Sequence, residues 1–128
     1  MITSDDLKIV INIRKRREAI RQQLKRRRNP IEGQERAELI ALDNSLEDEE
    51  IEAENRLLKL AEMLDNWRLQ YVFEDVFVGG WKKREIAGWM GVSEQYVGRL
   101  AKAAIEELNR KGATIEAAPA DHLSFSIR

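Results

Sequence analysis

The stretch WKKREIAGWMGVSEQYVGRL, residues 81–100, decides the fold of this chain. Ile86, Ala87 and Met90 have the spacing of the inward face of a short helix. Gly91 can adopt the tight turn that ends this helix, and Ser93 is a natural N-cap for a second one because its hydroxyl can accept from a free N–H group. The second helix has apolar or small residues at steps of three and four, namely Val97, Leu100, Ala104 and Leu108. This pattern predicts two helices joined by a tight turn, which is a helix-turn-helix.

A first long helix is predicted near the start of the chain. Thr3 and Ser4, followed by two aspartates, make a good helix N-terminus, since a hydroxyl can cap it and early carboxylates suit the helix dipole. We expect this helix to continue to about residue 28. Asn29, Pro30 and Gly33 then mark a chain reversal, because the residue before a proline is pushed out of the helical region.

A second long helix is expected from about residue 34. Its apolar or small residues form a heptad-like seam, which is typical of a coiled coil. The members of the seam are Leu39, Leu42, Leu46, Ala53, Leu57, Leu60, Leu64, Trp67 and Tyr71. The predicted fold is therefore all-α, with an N-terminal antiparallel helical hairpin or coiled coil followed by a C-terminal helix-turn-helix.

Charge is segregated along the chain although the net charge is only −1. Residues 1–30 carry ten basic and three acidic side chains, whereas residues 31–78 carry four basic and fourteen acidic ones. An antiparallel hairpin places the arginine-rich residues 14–17 opposite residues 45–48. Two interpretations stay open: the blocks compensate each other within or between hairpins, or the basic residues 25–28 stay free to contact a phosphate backbone.

Composition excludes several classes of function. The chain of 128 residues has no cysteine and one histidine, so a thiolate or histidine-based metal site is not expected, and a cofactor is not expected either. No apolar run approaches the roughly 20 residues of a membrane span, and the start lacks the pattern of a signal peptide, which predicts a cytoplasmic protein without membrane contact. The carboxylates of residues 43–54 read as one solvated helix face, so we do not expect an enzyme.

The segment from about residue 67 to 111 resembles the region-4 helix-turn-helix of bacterial sigma factors and of small phage and plasmid regulators related to them. The matching residues are Gly80, 85–87, 90–93, Val97, Leu100 and 103–108. The resemblance is strongest to phage late-gene activators, which join an N-terminal helical part to such a module. Sigma factors also carry an aromatic-rich region upstream, and residues 1–66 contain no aromatic residue, so a complete sigma factor is not expected.

The resemblance implies a recognition helix, 93–108, that lies in the major groove with its outer face toward DNA. The implied contacts on this helix are Ser93, Glu94, Gln95, Tyr96, Arg99 and Lys102. A glutamine can pair with adenine and an arginine with guanine, each discriminating by about 1–3 kcal/mol. Lys82, Lys83 and Arg84 open the preceding helix, where charge and free N–H groups favour phosphate. Gly98 either lets the helix approach the groove closely or is a tolerated residue that destabilises the helix.

These patterns predict a sequence-specific transcriptional regulator of double-stranded DNA, of phage or mobile-element origin, that binds as a dimer to two half-sites. Residues 1–66 would form the oligomerisation or partner arm, 67–111 the DNA-binding domain and 112–128 a flexible tail. The alternatives are a DNA-packaging protein similar to a phage small terminase, and a coiled-coil adaptor that binds RNA polymerase. For the tryptophans, we expect core or interdomain packing of Trp67 and Trp81. Trp89 is expected to be half exposed, and whether it belongs to a partner surface stays open.

Overall fold

The computed structural model describes residues 1–115, and every regular element in this range is helical, which confirms the all-α prediction. A short 3₁₀ turn at Asp6–Lys8 precedes five α-helices. These are α1 (Ile9–Leu24), α2 (Gly33–Ala61), α3 (Trp67–Phe73), α4 (Lys83–Met90) and α5 (Glu94–Arg110). A π-helical turn at Glu74–Val78 directly continues α3. Residues 116–128, which are most of the predicted flexible tail, lie outside the described residues.

The first helix begins later than the sequence predicts and also ends earlier, because the chain first forms the 3₁₀ turn Asp6–Lys8 and α1 starts at Ile9. The Thr3 hydroxyl accepts from the Asp6 N–H at 3.3 Å, and the Asp6 carboxylate accepts from the Thr3 N–H at 2.9 Å. The expected continuation to residue 28 is wrong, because α1 ends at Leu24. The Arg36 guanidinium donates to the Leu24 carbonyl at 3.3 Å, so a side chain of α2 satisfies one of the carbonyls left open at this end.

The prediction of one continuous helix as far as Tyr71 is also wrong. α2 ends at Ala61, and α3 starts at Trp67 after an extended residue, Asn66, whose side chain accepts from the Arg68 N–H at 2.8 Å. Asparagine competes for backbone N–H groups in this way and is favoured at helix starts. The spacing of the apolar residues continues across the break, so the seam gives no sign of it.

Helices α1 and α2 run antiparallel and are joined by ion pairs. The Arg17 Nε lies 2.9 Å from the Asp43 Oδ1, and its Nη1 lies 3.0 Å from the Glu50 Oε1. The Arg14 guanidinium contacts Glu50 at 2.9 Å and Glu54 at 2.7 Å. Two arginines of the basic block are therefore neutralised within the chain.

The larger core draws residues from almost every helix. Leu7 and Val10 near the start of the chain, Leu57 and Leu60 of α2, the α3 segment and the second half of α5 share it. The complete set of its buried residues is Ile2, Leu7, Val10, Ala53, Leu57, Leu60, Ala61, Leu64, Phe73, Phe77, Ala104, Leu108 and Ala113. The middle of the predicted seam, Leu46 to Leu64, is thus buried within one chain, whereas Leu42, Trp67 and Tyr71 at its ends are exposed.

The chain start is tied to the end of α5. The Asn109 side chain accepts from the Ile2 N–H at 2.7 Å and donates to the Ile2 carbonyl at 2.9 Å. These two bonds, with the shared core, fix the position of α5 relative to α1 and α2.

Candidate nucleic-acid interface

Helices α4 and α5 form as the local sequence predicts. The Glu85 carboxylate accepts from the Lys82 N–H at 2.9 Å at the start of α4. Gly91 ends this helix with a φ of 72°, a left-handed conformation that costs glycine little. The Ser93 hydroxyl accepts from the Tyr96 N–H at 3.1 Å, which confirms Ser93 as the N-cap of α5.

The inner faces of the two helices pack on α3. Ile86 and Ala87 of α4 are buried with Val97 and Ala101 of α5 and with Val72 of α3. Farther along α5, Ala104 and Leu108 are buried in the larger core, as the spacing predicts. Two residues that were also expected inside, Met90 and Leu100, are only partly buried.

The candidate DNA-contacting residues lie on the opposite surface. Tyr96 and Gly98 are half-buried, and the others are exposed, namely Lys82, Lys83, Arg84, Ser93, Glu94, Gln95, Arg99 and Lys102. Within residues 1–115, none of the five basic side chains in this set has a carboxylate oxygen within 4 Å. Their charge is therefore available to an external anion.

On this surface, the side chain of Lys83 on α4 lies next to Gly98 on α5. A Cβ atom placed on Gly98 would lie 3.9 Å from the Nζ of Lys83 and would meet nothing closer. The basic start of α4 and the outer face of α5 are thus one continuous surface. Gly98 is also not required for packing inside the protein, because an ordinary van der Waals contact is all that a methyl group would make.

An aromatic groove, which the sequence analysis did not predict, opens beside the start of α5. Its volume is about 670 Å³. The lining residues are Trp67, Arg68, Tyr71, Trp89, Met90, Val92, Ser93, Tyr96 and Arg99. The groove joins α3 to the α4–α5 turn, so only the pairing of distant segments reveals it. The presence of tryptophan and tyrosine in both segments is the one signal that the sequence carried.

Trp67 and Trp81 are more exposed than predicted, whereas Trp89 is as exposed as predicted. Trp67 is 66% exposed, so its predicted packing inside the protein is wrong. Trp81 and Trp89 are each 49% exposed and meet edge to face, with ring centroids 5.4 Å apart. Half exposure of Trp89 is confirmed. The Trp81 ring also lies over Gly79, where a Cβ atom would come within 2.7 Å of the Trp81 Cδ1.

Asp75 lies beside two aromatic side chains of the groove. Burial raises the pKa of its carboxyl group, and hydrogen bonds from the Trp89 and Tyr71 side chains offset part of this rise.

Residues 1–115 hold no group of three or more His, Cys, Asp or Glu side chains arranged to bind a metal ion. None of the helices in this range is both long enough and apolar enough to cross a membrane. No protein-family model, curated protein or solved structure significantly matches the chain.

Proposed function

We propose that this chain is a sequence-specific binder of double-stranded DNA that regulates transcription in the cytoplasm, with α4 and α5 as its helix-turn-helix. The supporting observation is the continuous surface on which the Lys83 ammonium group lies beside Gly98. Phosphate contacts from residues 82–84 position the protein, and the outer face of α5 reads bases. This agrees with the resemblance to small phage regulators.

Base reading is assigned to two side chains of α5. Gln95 and Arg99 are exposed, four residues apart on one helix, and therefore lie on the same face. Their amide and guanidinium groups match the major-groove edges of adenine and guanine. Lys102, about one turn beyond Arg99, contacts the DNA backbone.

We assign dimerisation to the antiparallel pair of α1 and α2, which acts as a hairpin arm. Four large apolar side chains of α2 stay exposed, and besides Leu42 they are Ile40, Ile51 and Leu58. These last three share one side of the helix. Their spacings of eleven and seven residues place them on one line along the helix, because both are close to whole numbers of turns. Burying this line against a second chain brings two recognition helices to two half-sites.

Selection of bound duplexes from a random DNA library at physiological salt tests the proposal. Wild type is compared with Arg99→Ala and with Arg110→Ala, a control that removes an exposed arginine from the far end of the same helix. We expect an enriched motif that Arg99→Ala blurs at one position and Arg110→Ala leaves intact. Enrichment of nothing, or equal behaviour of all three proteins, would reject DNA reading.

A second candidate function is that of an adaptor for a protein such as RNA polymerase, and the aromatic groove favours it. Tryptophan, tyrosine, methionine and arginine are the residues enriched at the centres of protein interfaces. Binding to a partner through this groove should respond weakly to salt, whereas affinity for DNA should fall steeply with ionic strength. Loss of partner binding in Trp89→Ala with DNA selection unchanged would assign the groove to protein contacts.

A further inference from the structure

Four consecutive basic residues, 25–28, form the loop that follows α1, and they are all exposed. Within residues 1–115 no carboxylate oxygen lies within 4 Å of any of these side chains, although Arg14 and Arg17 on the same helix take acidic partners from α2. The loop is nevertheless anchored, because the Arg26 Nε donates to the Asn29 carbonyl at 3.0 Å and Arg36 holds the end of α1. The loop is therefore held in place, while its four basic side chains form no ion pair within the described residues.

The basic face of α1 leads from this loop to the start of α4. Four basic residues of α1 line one groove together with Gly79, Gly80 and two glutamates, Glu18 and Glu50. The basic residues are Arg14, Lys15, Arg17 and Arg21. A Cβ atom on Gly80 would lie 3.4 Å from the Arg14 Nη1. Gly80 is only two residues before Lys82, so the face of α1 adjoins the surface assigned to phosphate.

The length of α1 is comparable with the spacing of phosphates across a DNA groove. Lys25 lies eleven residues beyond Arg14, which is about 16 Å along a helix that rises 1.5 Å per residue. Half a turn of B-DNA is about 17 Å long. A duplex that contacts the start of α4 and runs along α1 would therefore carry further phosphates to the loop.

We propose that residues 25–28 are a second phosphate-contacting site for the same duplex, so that the DNA footprint extends along α1 to the tip of the hairpin arm. This inference rests on the proposed function. The site reads no bases; it adds affinity on any sequence, because phosphates are the same everywhere along the duplex. It also accounts for DNA binding by a chain whose net charge is −1, since ion pairs with α2 occupy Arg14 and Arg17 but leave the loop free.

The test compares two variants. One removes two charges from the loop, and the control removes two charges from the opposite end of the α1–α2 pair. Arg27→Gln with Arg28→Gln removes side chains that form no hydrogen bond or ion pair within the described residues. The control, Lys8→Gln with Lys59→Gln, changes the net charge equally. Fluorescence anisotropy with the selected duplex and a scrambled duplex, over a series of salt concentrations, gives the slope of log affinity against log salt. Thermal unfolding verifies that both variants fold.

We expect the loop variant to flatten the slope by about 1.8, or 0.9 per phosphate contact, and to weaken binding equally on both duplexes. The control should keep the wild-type slope. A loop variant with the wild-type slope would overturn the inference, and so would equal flattening by the control, which would indicate long-range charge rather than contact. If light scattering shows that only the loop variant loses self-association, the loop lies against a second chain, and this result would also overturn the inference.

The two proposals fail in different ways. If Arg99→Ala blurs the selected motif while the loop variant keeps the slope, only the second site is rejected. If wild type binds no DNA, the proposed function is rejected and the second site falls with it.

Discussion

Replacing Gly98 by alanine separates what this residue does for the fold from what it does for binding. Glycine inside a helix costs about 0.5–1 kcal/mol relative to alanine, because the unfolded chain loses more freedom. The new methyl group would meet only the Lys83 Nζ, at 3.9 Å, so no steric cost opposes this gain. Gly98→Ala should therefore raise the free energy of unfolding by about that amount and the melting temperature by about 3 °C.

The same methyl group should weaken DNA binding. It projects from the outer face of α5 between Gln95 and Lys102, on the surface that we assign to the major groove. Holding the helix away from the base edges forfeits about one bidentate base contact, or 1–3 kcal/mol, which is roughly tenfold or more in affinity. More stable protein with weaker binding is the expected combination.

Gly88→Ala is the matched control. Gly88 lies inside α4, is exposed, and has nothing within 4 Å of its Cβ position. It should stabilise the protein to a similar extent and leave DNA affinity unchanged, because it does not lie on α5. Chemical denaturation and anisotropy with the selected duplex measure both quantities. Unchanged DNA affinity in Gly98→Ala would refute the close approach of α5, and a loss of stability would refute the steric argument.

Two further predictions concern the ion pairs between α1 and α2. Arg17→Ala leaves Asp43 and Glu50, both largely shielded, without this donor, so it should lower the free energy of unfolding in denaturant by about 2 kcal/mol. Arg21→Ala is the control: its 3.4 Å pair with Glu18 is exposed, and its loss should cost less than about 0.5 kcal/mol. Equal losses in the two variants would contradict the structure. The second prediction is that the protein becomes less stable in acid. The hydrogen bond from Arg17 lowers the pKa of Asp43. Burial alone raises the pKa of Glu50, but the hydrogen bonds from Arg14 and Arg17 bring it below its usual value. Because these pKa values are lower in the folded than in the unfolded state, the stabilisation is complete above about pH 5 and is lost as the pH falls through them, so wild type should lose more stability than Arg17→Ala between pH 6 and pH 3.

The parts of the fold that the sequence predicted well are those set by local chemistry. A serine before an apolar period became the N-cap of α5, and Gly91 took the left-handed turn. Side-chain caps and left-handed turns depend on a few neighbouring residues, so they can be read from the chain directly. Most of the inner-face positions are buried as predicted for the same reason, since helical spacing is a local property, although Met90 and Leu100 are only partly buried.

The parts that the sequence did not predict depend on contacts between distant segments. The break at Asn66 interrupts a seam whose spacing does not change, and the early end of α1 is completed by Arg36 of another helix. The aromatic groove exists only because α3 lies against the α4–α5 turn. Pairing of Arg14 and Arg17 with particular carboxylates likewise follows from the register of α1 on α2, which charge segregation leaves open.

Helix α5 connects the proposed DNA-reading surface to the arm. Its first half packs on α3 and α4 through Val97 and Ala101, and its second half is buried with α2 through Ala104 and Leu108. A swing of the arm relative to the recognition surface would have to expose this shared core, and exposure of apolar area costs about 25 cal/mol per Å². In the proposed dimer the arm therefore sets the distance between the two recognition helices, so it selects half-site spacing as well as contributing affinity.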